Sequence, residues 1–259
     1  EFGGPEVMNL IELPEPEPGP GEVLVRITRT GVNYADTHAT RNDYLAKQVL
    51  PLVPGAELVG ETEDGQRVAA IVDSGAYAEV IAVPEAVLVP VPDEVDDEQA
   101  AGILLQGLTA DAILRISANF QPGESVVVSA AAGGTGSLAV QIARSMGAGR
   151  IISLASSQEK RDLTLDLGAD VALDSRSENL KDEILAANDG REVDVVLEMA
   201  GGGAFEECLR ALAPFGRLVT FGIASGEQNK VKTGHLMRNS RAVIGFWIVH
   251  LMADPELSR

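Results

Sequence analysis

Ser125–Gly149, SVVVSAAAGGTGSLAVQIARSMGAG, joins a β-branched run to a helical pattern through a turn that lacks large side chains. Val126, Val127 and Val128 read as a strand covered on both faces, because no polar residue interrupts them. Leu138, Ile142 and Met146 then recur at helical spacing. Ala131, Gly133 and Gly136 occupy the three small-residue positions of the G-x-G-x-x-G pattern. There a side chain would block, respectively, the tight turn, an approaching pyrophosphate and the packing of helix on strand. The N–H groups of Gly134, Thr135 and Gly136 then point outward at a helix N-terminus, where an anion is favoured. The alternative is a glycine-rich strand-to-helix turn with no ligand.

A parallel sheet needs that unit repeated, and it is. Ile151–Ala155 predicts a second strand, Gln158–Leu167 a helix closed by Gly168, Val171–Leu173 a third strand, and Glu178–Ala187 a helix ending at Asn188-Asp189-Gly190. Val193–Met199 predicts a fourth strand, Phe205–Leu212 a helix broken before Pro214, Arg217–Phe221 a fifth strand and Ala242–Val249 a sixth. This is the doubly wound α/β pattern, whose ligand crevice lies beyond the carboxyl ends of the strands. Gly201–Gly203 and Gly222–Ser225 stand at such ends and are expected to line a dinucleotide. After the second strand an acidic residue would accept from a ribose 2′-OH, and none stands there. Ser156, Ser157, Lys160 and Arg161 instead offer hydroxyls and positive charge to a 2′-phosphate, which favours NADPH; the alternative is that both cations are solvated.

The first hundred residues have another texture. Pro14, Pro16, Pro18 and Pro20 mark an extended segment, and Val23–Thr28, Arg67–Val72, Tyr77–Val83 and Val87–Val91 read as strands punctuated by glycine, suggesting a small irregular barrel without helices. Apolar residues return at helical spacing from Asp96 to Ser117, a helical connection between two domains. The 259 residues, 45% hydrophobic, suffice for two modest cores. A net charge of −19 repels phosphate backbones and argues against a nucleic-acid partner. The longest apolar run, Ala242–Val249, falls far short of the ~20 residues that span a bilayer. No leader pattern opens the chain and one cysteine gives no intrachain disulfide, so a cytoplasmic location is expected.

At this point the chain resembles the zinc-free quinone oxidoreductase branch, to which zeta-crystallin belongs, of the medium-chain dehydrogenase/reductase superfamily. The resembling residues are EFGGPEVM at Glu1–Met8, PGPGEVLVRI at Pro18–Ile27, GVNYADTH at Gly31–His38, PGAELVG at Pro54–Gly60, LLQGLTA at Leu104–Ala110, AAAGGTG at Ala130–Gly136, SSQEK at Ser156–Lys160 and FGIASG at Phe221–Gly226. The resemblance implies a GroES-like β-rich catalytic domain over residues 1–107, with residues 246–259 leading back towards it. It implies a Rossmann domain over 108–245, NADP(H) as cofactor, and a cleft between the domains for a quinone or electron-poor alkene.

Carried across, the family's active-site asparagine falls on Asn33 and its tyrosine on Tyr44. Gln106 and Thr109 meet the nicotinamide, Ala132, Gly133, Gly134, Thr135 and Gly136 the phosphates, and Ser156 and Lys160 the 2′-phosphate. Phe221, Gly222 and Ile223 form the nicotinamide-side loop. Ser175 stands where some members carry a tyrosine, with Arg176 beside it. Asn33 would donate to the substrate carbonyl oxygen as hydride arrives. Tyr44 either donates too or walls the pocket, Thr109 and Gln106 either meet the cofactor or cap a helix, and Asp36 is structural.

Zinc chemistry needs ligands that the chain does not supply. Its sole cysteine, Cys208, sits in a helical apolar pattern, Asn33 and Ala56 stand where zinc relatives carry cysteine and histidine, and His38, His235 and His250 are scattered. No metal is expected. Relative to the family, the chain lacks a few residues at the front and several segments at the end, an expectation under which one wall of the site is missing. The apolar stretch Ala242–Val249 is expected at a sheet edge, paired with its twin in a homodimer or covered by the chain's own tail. Two other functions fit the same residues, an enoyl-thioester reductase and a non-catalytic dinucleotide-binding protein.

Overall fold

The computed structural model describes residues 1–43 and 45–253. Two compact units emerge, Glu1–Leu105 and the residues from Gln106 onward.

The first unit is built on a five-stranded antiparallel sheet of β1 (Glu22–Thr30), β2 (Glu57–Thr62), β3 (Arg67–Ile71), β4 (Val80–Pro84) and β5 (Val89–Pro90), ordered β4-β1-β2-β3-β5. It is an open ladder, since β4 and β5 do not pair among the described residues. Val25, Leu58, Val68, Ala70 and Val83 pack on one face, while Val59 and Ala69 meet Ala101 and Leu104 on the other. Two elements correct the sequence reading. β2 was not predicted, because its core is a short run broken by Glu57 and Gly60. Helix α1 (Tyr34–Arg41) occupies a stretch expected to hold no helix. Its buried residues are the polar Asp36 and Thr40, so no apolar period marks it. What starts it is Asn33 as N-cap, with the Asp36 carboxylate three positions on accepting from the Asn33 N–H at 2.8 Å.

Helix α2 (Asp97–Ala112) continues through a π-helical turn over Ile113–Ser117. Among the described residues this 21-residue stretch, Asp97–Ser117, is the one helix long and apolar enough to cross a membrane by length and composition. Its side chains are used in cores: Ala110, Ile113 and Leu114 lie in the main cluster of the second unit.

The second unit is a six-stranded parallel sheet of β6 (Ser125–Val128), β7 (Arg150–Ala155), β8 (Val171–Asp174), β9 (Val193–Glu198), β10 (Leu212–Thr220) and β11 (Ala242–Gly245), ordered β11-β10-β9-β6-β7-β8. Strand β6 is central, and its three valines show why no polar residue interrupts it. Val126 and Val128 face α3 (Gly134–Ser145) and the end of α2, while Val127 faces α5 (Leu180–Ala187) and α6 (Gly202–Ala211). Helix α4 (Gln158–Asp166) is tied to the sheet by Thr164 and Ser153, whose buried hydroxyls lie 2.6 Å apart. The sixth strand ends at Gly245 rather than Val249. Trp247 instead caps a short helix, α8 (Ile248–Met252). Strand β10 follows α6 without a loop, starting earlier than Arg217, and its register against β9 jumps between Leu212 and Arg217. Phe215, at φ +67°, lies within that jump. Helix α7 (Thr233–Asn239) precedes β11, which lies at the sheet edge as expected.

Candidate active site

In the second unit the turn between β6 and α3 is shaped by close backbone contacts. Ala130 takes φ +47°, and its carbonyl accepts from the Gly133 N–H at 2.9 Å. Ala131 is fully buried and donates to Leu154 O at 3.1 Å, fixing the turn to β7. A Cβ on Gly136 would strike that same Ala130 carbonyl and come within 2.8 Å of the Ala131 Cα, so α3 sits this close only with glycine there. Gly133 is the N-cap of α3, and no side chain caps the helix. The first-turn N–H groups therefore keep the positive end of the helix for an anion. Gly133 and Gly134 are exposed, with Ala132 and Thr135 half-buried beside them.

Gln106 belongs to the same place, because a Cβ on Gly134 would land on the Gln106 amide. Thr109, three residues on, is 8% exposed. Both lie inside α2, so they line that helix rather than open or cap it.

At the end of β7, Ser157 caps α4, its hydroxyl accepting from the Lys160 N–H at 3.3 Å. The two neighbouring cations have different surroundings. Arg161 is 3.2 Å from Asp174, a carboxylate that β8 brings alongside Ala155, and it also donates to Ala155 O at 3.2 Å. Lys160 is exposed and forms no ion pair among the described residues, and Arg176 likewise. Half-buried Ser156 and Ser175 flank the same strand end, where the Ser175 N–H donates to Ala155 O at 3.2 Å.

The loops after β9 and β10 are stitched together, Ala224 N–H to Met199 O at 2.9 Å and Ser225 N–H to Ala200 O at 2.8 Å. Phe221 donates to Glu198 O at 3.1 Å, and Gly222 packs against Met199, which places Phe221, Gly222 and Ile223 beside Gly201–Gly203. Beneath them Glu198 is fully buried. Its carboxylate accepts from Ala200 N at 2.8 Å and Gly201 N at 3.1 Å, and burial pushes its pKa up.

In the first unit the predicted Asn33 is one member of a buried polar network. Its Nδ2 donates to Glu57 Oε1 at 2.7 Å, and the other oxygen of Glu57 accepts from the Leu105 N–H at 2.9 Å. Asp36, bound to the Asn33 N–H, also accepts from the Tyr77 hydroxyl at 2.8 Å. Asn33, Asp36 and Glu57 are 5%, 7% and 1% exposed. Burial raises the Glu57 pKa, and burial with the Asp36 hydrogen bond raises that of the Tyr77 phenol. Tyr44 lies outside the described residues. His38 faces Asp43 at 2.6 Å and His250 stacks edge-on to Trp247. Cys208, on α6, is fully buried among apolar side chains, which raises its pKa.

Glu57, Tyr77 and Glu198 were not singled out from sequence. Two of them carried a signal, a carboxylate directly following or preceding apolar strand residues, in PGAELVG and in VDVVLEM. Such a group is seldom buried without a purpose-built set of donors.

Comparison with known proteins agrees with this geometry. The family described as "Alcohol dehydrogenase GroES-like domain" matches residues 19–93, and that described as "Zinc-binding dehydrogenase" matches residues 134–257. A quinone oxidoreductase of Pseudomonas aeruginosa is 39% identical over 246 residues, 91% of this chain and 75% of that protein. The structure of the quinone oxidoreductase of Thermus thermophilus, described with its NADPH complex, superposes with TM-score 0.86 at 40% identity, covering 96% of this chain and 79% of that one. The Escherichia coli quinone oxidoreductase complexed with NADPH gives TM-score 0.92 at 29% identity, covering 99% and 82%.

Proposed function

This chain belongs to the quinone oxidoreductase branch of the medium-chain dehydrogenase/reductase superfamily, and from that premise we propose that it reduces quinones or electron-poor alkenes with NADPH and without zinc. The carrying observation is the turn at 130–136, free of large side chains, which leads into an uncapped helix. Relatives whose structures are described with NADPH support the choice of cofactor.

When bound, the dihydronicotinamide supplies the hydride. Ala132 and the N–H groups of Gly133, Gly134, Thr135 and Gly136 hold the pyrophosphate. Ser156 and Ser175 offer hydroxyls to the 2′-phosphate and Lys160 its charge, while the charge of Arg161 is taken up by Asp174. Gln106, Thr109 and the loop Phe221–Ile223 orient the ring. Asn33 donates a hydrogen bond to the substrate oxygen on which charge accumulates. Zinc independence rests on the residues themselves. Cys208 is sealed in a core, and among the described residues no three His, Cys, Asp or Glu side chains come together to hold a metal. Direct reduction of an acceptor that is already electrophilic needs no such polarising ion.

The test is loss of dihydronicotinamide absorbance with a panel of quinones, enones and enoyl thioesters. Turnover of quinones or enones is expected. Turnover of thioesters alone would move the chain to the enoyl reductases, and NADPH binding without any turnover would make it a non-catalytic binder. Full activity that depended on added zinc would overturn the metal-free reading. We also assign a homodimer through the edge strand β11 and a cytoplasmic location; a monomer in light scattering would overturn the first, and export of the full-length protein the second.

A further inference from the structure

We infer that Glu57 is a positioning residue for Asn33, its buried carboxylate holding the Asn33 amide in one orientation and so setting which way the amide presents its donor to the substrate oxygen. The inference rests on the proposed role of Asn33 and adds a partner to it.

Both oxygens of Glu57 are in use, one by Asn33 Nδ2 at 2.7 Å and one by the Leu105 N–H at 2.9 Å. Two N–H donors facing two oxygens call for the ionised carboxylate, since a carboxylic acid would have to donate from one of them. An Asn amide can turn over about its last torsion at little cost, so Glu57, by taking one Nδ2 hydrogen, fixes where Nδ2 sits and in which direction its second hydrogen points. The space is made to measure: a Cβ on Gly31 would collide with the Glu57 carboxylate.

Stability does not account for this group. Glu57 is 1% exposed, no salt bridge to it occurs among the described residues, and the charged group acting on it is another carboxylate, Asp36. An ionised carboxylate so placed costs several kcal/mol, and an apolar residue of similar volume would serve the fold better. The groups facing it are Asp36 from α1, held by the Tyr77 hydroxyl, and the Leu105 backbone from α2. Burial raises the Glu57 pKa, so the carboxylate form exists only above that raised value. As the pH falls through it, Glu57 gains a proton that must be donated, and the amide turns its oxygen inward to accept, which swings Nδ2 and its second hydrogen out of the direction that the carboxylate had set. Activity is therefore expected to fall on the acid side.

The experiment measures kcat and KM for NADPH and 1,4-benzoquinone across the acid-to-neutral range in the full chain and in Asn33→Ala, Glu57→Gln and the double variant. Asn33→Ala is expected to lower kcat about 100-fold and Glu57→Gln about tenfold. The double variant should be no slower than Asn33→Ala, and KM for NADPH should change less than about twofold. The acid limb of kcat should vanish in Asn33→Ala, which has no amide to turn. Unchanged kcat in Asn33→Ala would overturn the Asn33 role and this inference with it. A slow Asn33→Ala beside a fully active Glu57→Gln, or losses that multiply in the double variant, would overturn the Glu57 inference alone. Should Glu57→Gln fail to fold, the pH profiles of the unmodified protein and Asn33→Ala decide: an acid limb common to both overturns it.

Discussion

The two units build their sites by opposite means. In the second, the 130–136 turn works through backbone N–H groups and the absence of side chains, with Gly136 pressed on the Ala130 carbonyl. In the first, the work falls to buried side chains: Asn33 and Asp36 pair locally at a helix start, and Glu57 and Tyr77, distant in the chain, join them only in the fold. A backbone site is a local steric fact, whereas a side-chain network is a tertiary one whose parts depend on each other.

That contrast can be broken by experiment. Gly136→Ala has the largest expected effect: the new methyl meets the Ala130–Ala131 backbone and forces α3 off β6, costing about 1–3 kcal/mol of stability and, by fluorescence titration, at least about 100-fold in NADPH affinity. Retained affinity would show that the turn is not the phosphate site. Tyr77→Phe removes one of the donors to the Asp36 carboxylate. It should cost about 1–2 kcal/mol in denaturant unfolding and leave NADPH affinity unchanged, and a loss of affinity would erase the distinction drawn between the units. Lys160→Glu should weaken NADPH about tenfold, roughly 1.4 kcal/mol, with little effect on NADH. Equal losses for both cofactors would place the phosphate elsewhere, with Arg176 the next residue to change. Ala130→Gly relieves a left-handed backbone at φ +47° and should raise stability by less than about 1 kcal/mol. A destabilised variant would show that the methyl packs more than it strains.

How much could be read beforehand follows the same division. The parallel sheet was visible because strands such as β6 and β9 are β-branched runs and helices such as α3 and α6 are amphipathic, and Val126–Val128 needed no partner to be recognised. The barrel-like unit was half visible. β1, β3 and β4 carry short apolar runs, but β2 and α1 hide behind Glu57 and Asp36, charges whose burial contradicts any hydrophobic pattern. The surroundings of Lys160 and Arg161 were equally out of reach, because Asp174 arrives from the next strand, thirteen positions beyond Arg161 in the numbering, through parallel pairing with Ala155.

The sequence by itself determined the strand-turn-helix at Ser125–Gly149, since glycine and alanine there act through sterics that neighbouring residues already impose. It also determined the poverty of metal ligands, because one cysteine is a matter of composition. Only the tertiary structure decided that Asn33 meets Glu57, that Arg161 spends its charge on Asp174, and that Gln106 lies against Gly134. Those contacts join residues from different elements, which come within reach of one another only once the chain has folded, and the Asn33–Glu57 pair among them is also taken out of water.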